Sequence, residues 1–81
     1  MSSVATLAIE KTPGVCGGDA RVGGTRISVW LLVAYRRAGM TDHQLLEAYP
    51  TLTLASLSAA WWYYAEHRGE VEATILRQAE A

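Results

Sequence analysis

Glycine is concentrated in one part of this chain, and that concentration constrains the fold more than any other feature. Five of the seven glycines lie between Gly14 and Gly24. They are interleaved with Val15 and Val22 and followed by Ile27, whose apolar side chains need a core. The stretch is therefore interpreted as a folded, tightly turning segment and not as a flexible linker.

A hairpin is predicted inside this segment. A two-residue turn of type I′ needs positive φ at both central residues, and Gly23-Gly24 supplies it without steric cost. Arg21 and Arg26 would then lie on the two arms. The weak alternation from Thr6 to Glu10 predicts a short strand that pairs with the hairpin in a small sheet.

Two helices are predicted after the hairpin from their end signals. Ser28 is a good N-cap for a first helix over 29–38, which Gly39 ends, and its largely apolar circumference predicts a central position. Thr41 and Gln44 have the spacing of a capping box, so a second helix begins at residue 42 and ends before Pro50.

Two further helices complete the predicted fold. Thr53 caps a third helix from Leu54 to about His67, closed by Gly69, and a last helix follows around residues 70–75. The chain is thus expected to be one mainly α-helical domain over residues 1–81. A small β region spans 6–27, and a helical region with a helix-turn-helix spans 28–81.

The third helix predicts a protein-binding surface. At 100° per residue one stripe is assigned to the core, made of Leu54, Leu57, Trp61, Tyr64 and Arg68. The opposite face carries large aromatics beside small residues and no Lys or Arg, which favours burial against a second copy or a partner protein. The alternative is that the last helix folds back over these aromatics within one chain, through Val71 and Ile75. Together with the last helix this face gives six interface candidates: Ala59, Trp62, Tyr63, Glu66, Val71 and Ile75.

The charge balance weighs against an autonomous DNA-binding protein. The formal net charge is −1 and the isoelectric point is about 6.0, so no overall positive field attracts phosphate. DNA contact would need a local arginine patch, doubled in a dimer. Its candidates are Arg21, Arg26, Arg36 and Arg37.

The sequence does not predict an enzyme. Cys16 is the only cysteine and has no base near it in sequence, while His43 and His67 lack metal-ligand spacing. We therefore expect no catalytic residues, no cofactor and no metal. No signal peptide or membrane-spanning segment is apparent, which together with the single cysteine predicts a cytoplasmic protein.

Several motifs resemble the family catalogued as domain of unknown function 433: Thr-Pro-Gly-Val-Cys-Gly-Gly at 12–18, Arg-Val-Gly-Gly-Thr-Arg-Ile-Ser-Val at 21–29, Ala-Gly-Met-Thr at 38–41, Leu-Leu-Glu-Ala-Tyr-Pro at 45–50 and Tyr-Tyr-Ala-Glu-His-Arg at 63–68. The resemblance implies a small helix-turn-helix protein, and in many bacteria such proteins resemble antitoxins encoded beside a PIN-like ribonuclease toxin. It implies no catalytic residues.

Three hypotheses follow from the residues and the resemblance together. The first is a bacterial, homodimeric antitoxin that neutralises a PIN-like ribonuclease of a type II toxin-antitoxin system and binds its own operator DNA. The second is a protein–protein interaction module without DNA binding, which the net charge favours slightly. The third is an enzyme of an uncharacterised kind.

Overall fold

The computed structural model describes residues 9–11 and 19–80, and two short antiparallel strands come first. Strand β1 is Ile9–Glu10 and strand β2 is Arg21–Val22, with Ile9 opposite Val22 and Glu10 opposite Arg21. Strand β1 therefore coincides with the last two residues of the strand predicted over 6–10. Residues 6–8 and Cys16 lie outside the described residues.

The predicted hairpin follows β2, but its turn has a different type. The Val22 carbonyl accepts a hydrogen bond from the Thr25 amide at 3.1 Å. Of the two central residues only Gly24 has positive φ, at +76°, which is the signature of a type II turn and not of type I′. Arg26 consequently lies in the loop and not on an arm of the hairpin.

Four helices follow within the described residues: α1 at Val29–Arg37, α2 at Asp42–Ala48, α3 at Leu54–Glu66 and α4 at Arg68–Glu80. The fold class predicted from the sequence is confirmed, since the structure is mainly helical with a small sheet near its amino end.

Three of the predicted end signals act as the sequence predicts, whereas Ser28 occupies the N-cap position of α1 without a side-chain capping hydrogen bond. Gly39 follows α1 with φ of +107°. The Thr41 hydroxyl accepts from the Gln44 amide at 3.2 Å, while the Gln44 side chain accepts from the Thr41 amide at 2.9 Å, which completes the capping box. At α3 the Thr53 hydroxyl accepts from the Ser56 amide at 3.1 Å.

The boundary between α3 and α4 differs from the prediction. The chain leaves helical geometry at His67, with φ of −131° and ψ of 41°, and α4 begins at the next residue. Gly69 therefore lies in the first turn of α4 and closes nothing. Glycine is a helix-ending signal only where the backbone turns left-handed, and Gly69 does not do so.

Helix α1 is central, because it contacts both α3 and α4. Its Leu32 is fully buried, and Leu45 of α2 and Leu57 of α3 are buried in the same core. The buried cluster draws on every element of the described chain except β1, and Ile9 of that strand packs against it. It consists of Ala20, Val22, Val29, Leu32, Val33, Leu45, Leu52, Leu57, Ala60, Tyr63 and Val71.

Candidate functional site

The helix-turn-helix is formed by α2, the connection over 49–53 and α3. The connection is held by a hydrogen bond from the Leu52 amide to the Tyr49 carbonyl at 2.9 Å, and the Leu52 side chain is buried. Helix α3 carries no lysine or arginine along Leu54–Glu66. Base readout in the major groove usually relies on Arg, Lys, Asn or Gln, and this helix carries none of the four.

The orientation of α3 corrects the predicted core face. Leu54, assigned to the core, is 66% exposed, whereas Tyr63, assigned to the opposite face, is only 8% exposed. The buried stripe runs through Leu57, Ala60 and Tyr63. The helix is therefore rotated by about one residue position, or about 100°, relative to the prediction.

Three of the six predicted interface residues are consequently not at the surface. Ala59 and Tyr63 of α3 and Val71 of α4 are buried within the chain itself. Their assignment to an interface is wrong, because α1 and α4 pack on the side of α3 that was expected to meet a partner. Ile75 is partly buried against the same core.

Trp62 and Glu66 remain on the surface and stay interface candidates. Trp62, at 48% exposure, shares one side of α3 with four exposed, uncharged residues, and the charged Glu66 lies one turn further along the helix. We call this face the α3 strip, which comprises Leu54, Ala55, Ser58, Trp62 and Ala65. A large aromatic beside small side chains is typical of a protein-binding surface.

The four predicted DNA-binding arginines do not form one patch. Arg21 is buried, and its Nη1 donates to Glu10 Oε1 at 2.8 Å within the sheet. Arg26 lies in the exposed hairpin loop. Only Arg36 and Arg37, at the end of α1, line a common feature.

That feature is an open groove between α1 and α3, which we call the arginine groove. Its lining residues are Val33, Arg36 and Arg37 of α1 and Trp61 and Tyr64 of α3, and its volume is about 360 Å³. The guanidinium carbon of Arg36 lies 4.7 Å from the centroid of the Trp61 ring. That of Arg37 lies 5.9 Å from the centroid of Tyr64, so each cation is positioned by an aromatic face.

A carboxylate fixes the Trp61 end of the groove. Asp42, the first residue of α2, accepts through Oδ1 from Arg36 Nη1 and from Trp61 Nε1, both at 3.3 Å. The helix-turn-helix is thereby tied to the carboxyl end of α1.

A second carboxylate fixes the Tyr64 end. Glu72 Oε2 accepts from the Tyr64 hydroxyl and from Arg37 Nη2, both at 2.7 Å. The hydrogen bond from Tyr64, followed by the charges of Arg37 and Arg68, lowers the pKa of Glu72. Arg68 adds a third guanidinium, 5.1 Å from the Tyr64 centroid.

A separate polar cluster joins the amino end of the chain to the α3–α4 boundary. The Tyr63 hydroxyl donates to Glu70 Oε2 at 2.7 Å, and Lys11 Nζ donates to Glu70 Oε1 at 3.1 Å. The His67 ring stacks on Tyr63 with centroids 4.1 Å apart. These four residues form what we call the Glu70 clamp.

Sequence reasoning missed most of the arginine groove. Two signals in the sequence bear on it: Trp61 and Tyr64 are one helical turn apart, and Arg36 and Arg37 are adjacent. The spacing of Trp61 and Tyr64 could have been predicted to place both side chains on one side of their helix. The ion pairs to Asp42 and Glu72 join different helices, so they cannot be predicted from the spacing of residues within one helix.

Residues 9–11 and 19–80 contain neither a candidate metal site nor a candidate membrane-spanning helix. No group of three or more His, Cys, Asp or Glu side chains is placed to hold a metal ion there. None of the helices in that part of the chain has the length and apolar character needed to cross a bilayer.

The pattern of the family described as "Protein of unknown function (DUF433)" matches residues 9–64, which run from β1 to the Tyr64 end of the groove. The chain belongs to the DUF433 family. A DUF433 member protein from Anabaena variabilis, known from a crystal structure, is similar in fold and sequence, with a TM-score of 0.85 and 51% identity over 86% of this chain and 69% of that chain. The comparison with curated proteins gave no match. The helix-turn-helix thus lies within the DUF433 segment, and α4 follows it.

Proposed function

We propose that this DUF433 protein is a cytoplasmic, non-catalytic antitoxin-like protein that forms a homodimer and neutralises a PIN-like ribonuclease encoded beside it. The resemblance described above suggests the ribonuclease. The single structural observation that carries the proposal is the exposed, uncharged α3 strip.

The α3 strip supports binding to protein. Leu54 is 66% exposed and Trp62 is 48% exposed on the same side of a helix whose exposed residues up to Ala65 bear no charge. A buried tryptophan removes about 150–250 Å² from water, and tryptophan is enriched among the residues that dominate binding energy. Covering the strip would therefore contribute more binding free energy than covering a polar surface of the same area.

Charge pairing supports a protein partner over DNA. Arg21, Arg36 and Arg37 each pair with a carboxylate of the same chain, and α3 has no basic side chain. A phosphate backbone would therefore meet arginines whose positive charge is already opposed by Glu10, Asp42 and Glu72. Operator binding enters the proposal only as a weaker property of a dimer, and the alternative is a protein–protein interaction module without DNA binding.

Co-expression with the neighbouring ribonuclease tests the proposal. We expect the wild-type chain to co-purify with the enzyme and abolish RNA cleavage, and the double variant Leu54→Ser, Trp62→Ser to do neither while keeping its helical circular dichroism. Leu76→Ser is the matched control, since Leu76 is 60% exposed on α4 and lies outside the strip.

Inhibition that survives in the double variant, or that Leu76→Ser removes equally well, would exclude the α3 strip as the binding surface. A promoter fragment serves as the DNA arm of the same experiment. A gel shift that appears at about 50 mM salt and weakens steeply towards about 200 mM would count against the protein-only alternative, because arginine–phosphate contacts release counterions and therefore depend on salt.

A further inference from the structure

The arginine groove has the size and lining of a site for a small group. Its volume of about 360 Å³ falls within the range of about 300–1,000 Å³ that ligand pockets occupy. The partly exposed Trp61 ring supplies an apolar wall above the buried Val33, and the guanidinium groups of Arg36 and Arg37 supply hydrogen-bond donors beside it.

The arginines are held in place before anything binds. Arg36 lies over the Trp61 ring, while Arg37 and Arg68 both lie against the Tyr64 ring. A guanidinium stacked on an aromatic face loses less conformational freedom when it binds an anion, so binding costs less.

The two arginines of the groove already pair with carboxylates of this chain, which indicates the kind of anion that fits beside them. Asp42 is bound through Nη1 of Arg36, and Glu72 through Nη2 of Arg37. A guanidinium has five N–H donors, so these single-nitrogen contacts engage only part of each fork. Arginine binds a carboxylate best when two donors face it in parallel.

The local charge selects a singly charged occupant. Arg36, Arg37 and Arg68 oppose Asp42 and Glu72, which leaves one positive charge around the groove. One net charge complements one carboxylate. It does not complement a nucleic-acid backbone, whose binding depends on neutralising many phosphates together.

We propose that the arginine groove binds an acidic segment of a partner protein, with an Asp or Glu carboxylate between the Arg36 and Arg37 guanidinium groups and a neighbouring aliphatic side chain against the Trp61 ring. The proposal rests on the proposed function in one respect, namely that the partner is a protein. It adds a second contact on a different face from the α3 strip.

A peptide titration followed by NMR tests the groove without the ribonuclease. The probe is acetyl-Leu-Glu-Leu-amide, the matched neutral probe is acetyl-Leu-Gln-Leu-amide, and the reporter is the Trp61 indole N–H resonance, assigned with Trp61→Phe. We expect a saturable shift with the Glu peptide and at least about tenfold weaker binding of the Gln peptide, because a charge-assisted pair is lost.

The variants Arg36→Gln and Arg37→Gln should each weaken binding of the Glu peptide by about tenfold. Arg77→Gln is the control with the same charge change, because Arg77 is an exposed residue of α4 that contacts Thr74 and is not part of the groove. Equal binding of the two peptides, or an effect of Arg77→Gln equal to that of Arg37→Gln, would overturn the proposal.

Tighter binding of inorganic phosphate or of a short oligothymidylate than of the Glu peptide would also overturn it, since the groove would then be a phosphate site. The two proposals fail separately. A groove that ignores the Glu peptide while the α3 strip still captures the ribonuclease refutes only this inference. Specific binding of the Glu peptide by a chain that never inhibits a ribonuclease refutes only the proposed function.

Discussion

Gly24 adopts φ of +76° in the turn after β2, in a backbone region where an L side chain is strained. A Cβ placed there would meet no atom within 4 Å, so the requirement for glycine comes from the backbone alone. Gly69 offers the opposite case. It has equally open surroundings, but it lies in a helix, where glycine is a poor choice.

These two glycines give a paired prediction. Gly24→Ala should lower the free energy of unfolding by about 1–2 kcal/mol, the cost of a left-handed alanine. Gly69→Ala should raise it by about 0.5 kcal/mol, because alanine loses less entropy in a helix. Urea unfolding followed by circular dichroism measures both, and midpoints that move in the same direction would contradict the assigned backbone conformations.

Helix α3 decides which surfaces the molecule can offer, because its phase sets which aromatics are buried. Adjacent Trp62 and Tyr63 have opposite environments, with Trp62 48% exposed and Tyr63 8% exposed. Small Ala59 and Ala60 beside them are buried, which allows the neighbouring helices to approach closely on that side. The exposed aromatic is thus a consequence of burying the other one.

Single alanine substitutions should separate the two aromatics. Tyr63→Ala removes a ring from the core and should cost about 3–5 kcal/mol, enough to unfold much of so small a domain. Trp62→Ala should change the free energy of unfolding by less than about 1 kcal/mol. Thermal melts compare them, and a Trp62→Ala loss as large as that of Tyr63→Ala would show that the helix is rotated differently.

The same helix shows where sequence reasoning works for this chain and where it fails. Caps are local, so Thr41, Thr53 and Gly39 could be identified from a few neighbouring residues. The face of α3 could not, because apolar side chains surround most of it and periodicity then leaves its phase undetermined. Only packing against α1 and α4 resolves the choice in favour of Tyr63.

The arginine groove could not be predicted from the sequence for a related reason. Arg36 and Arg37 were recognised as candidates from their type, but their partners Asp42 and Glu72 lie on other helices. A sequence shows that a charge exists and not whether it is compensated. The pairing of these arginines could therefore not be predicted from the sequence.

At the scale of the whole molecule, the Glu70 clamp joins parts of the chain that are far apart in sequence. Partial burial alone raises the pKa of Glu70, but the hydrogen bonds from Tyr63 and Lys11 outweigh it and hold the pKa below 4.5. Burial and the hydrogen bond to Glu70 raise the pKa of Tyr63 above 10.0. The clamp thus favours an ionised carboxylate and a neutral phenol.

The clamp predicts how stability depends on pH. A lowered carboxyl pKa stabilises the fold above about pH 4.5, and that contribution is lost as the pH falls through the folded value. Tyr63→Phe keeps the ring and removes the hydroxyl, so it should flatten the acid limb of a plot of unfolding free energy against pH. The midpoints of urea unfolding of the wild-type chain and of Tyr63→Phe, compared between about pH 3 and 7, measure this change.

Tyr64→Phe is the useful comparison, because Tyr64 lowers the pKa of the other carboxylate, Glu72. The double variant should then flatten the limb further. A profile that stays unchanged when both hydroxyls are removed would show that neither tyrosine stabilises its carboxylate.

The family segment ends at residue 64, yet Val71 of α4 is in the core and Glu72 completes the Tyr64 end of the groove. A fragment cut where the family pattern stops would expose the side of α1 that α4 covers. The unit that is recognised by sequence is therefore shorter than the unit that shares one hydrophobic core. For this chain, expression boundaries drawn from the family pattern alone would remove part of the hydrophobic core.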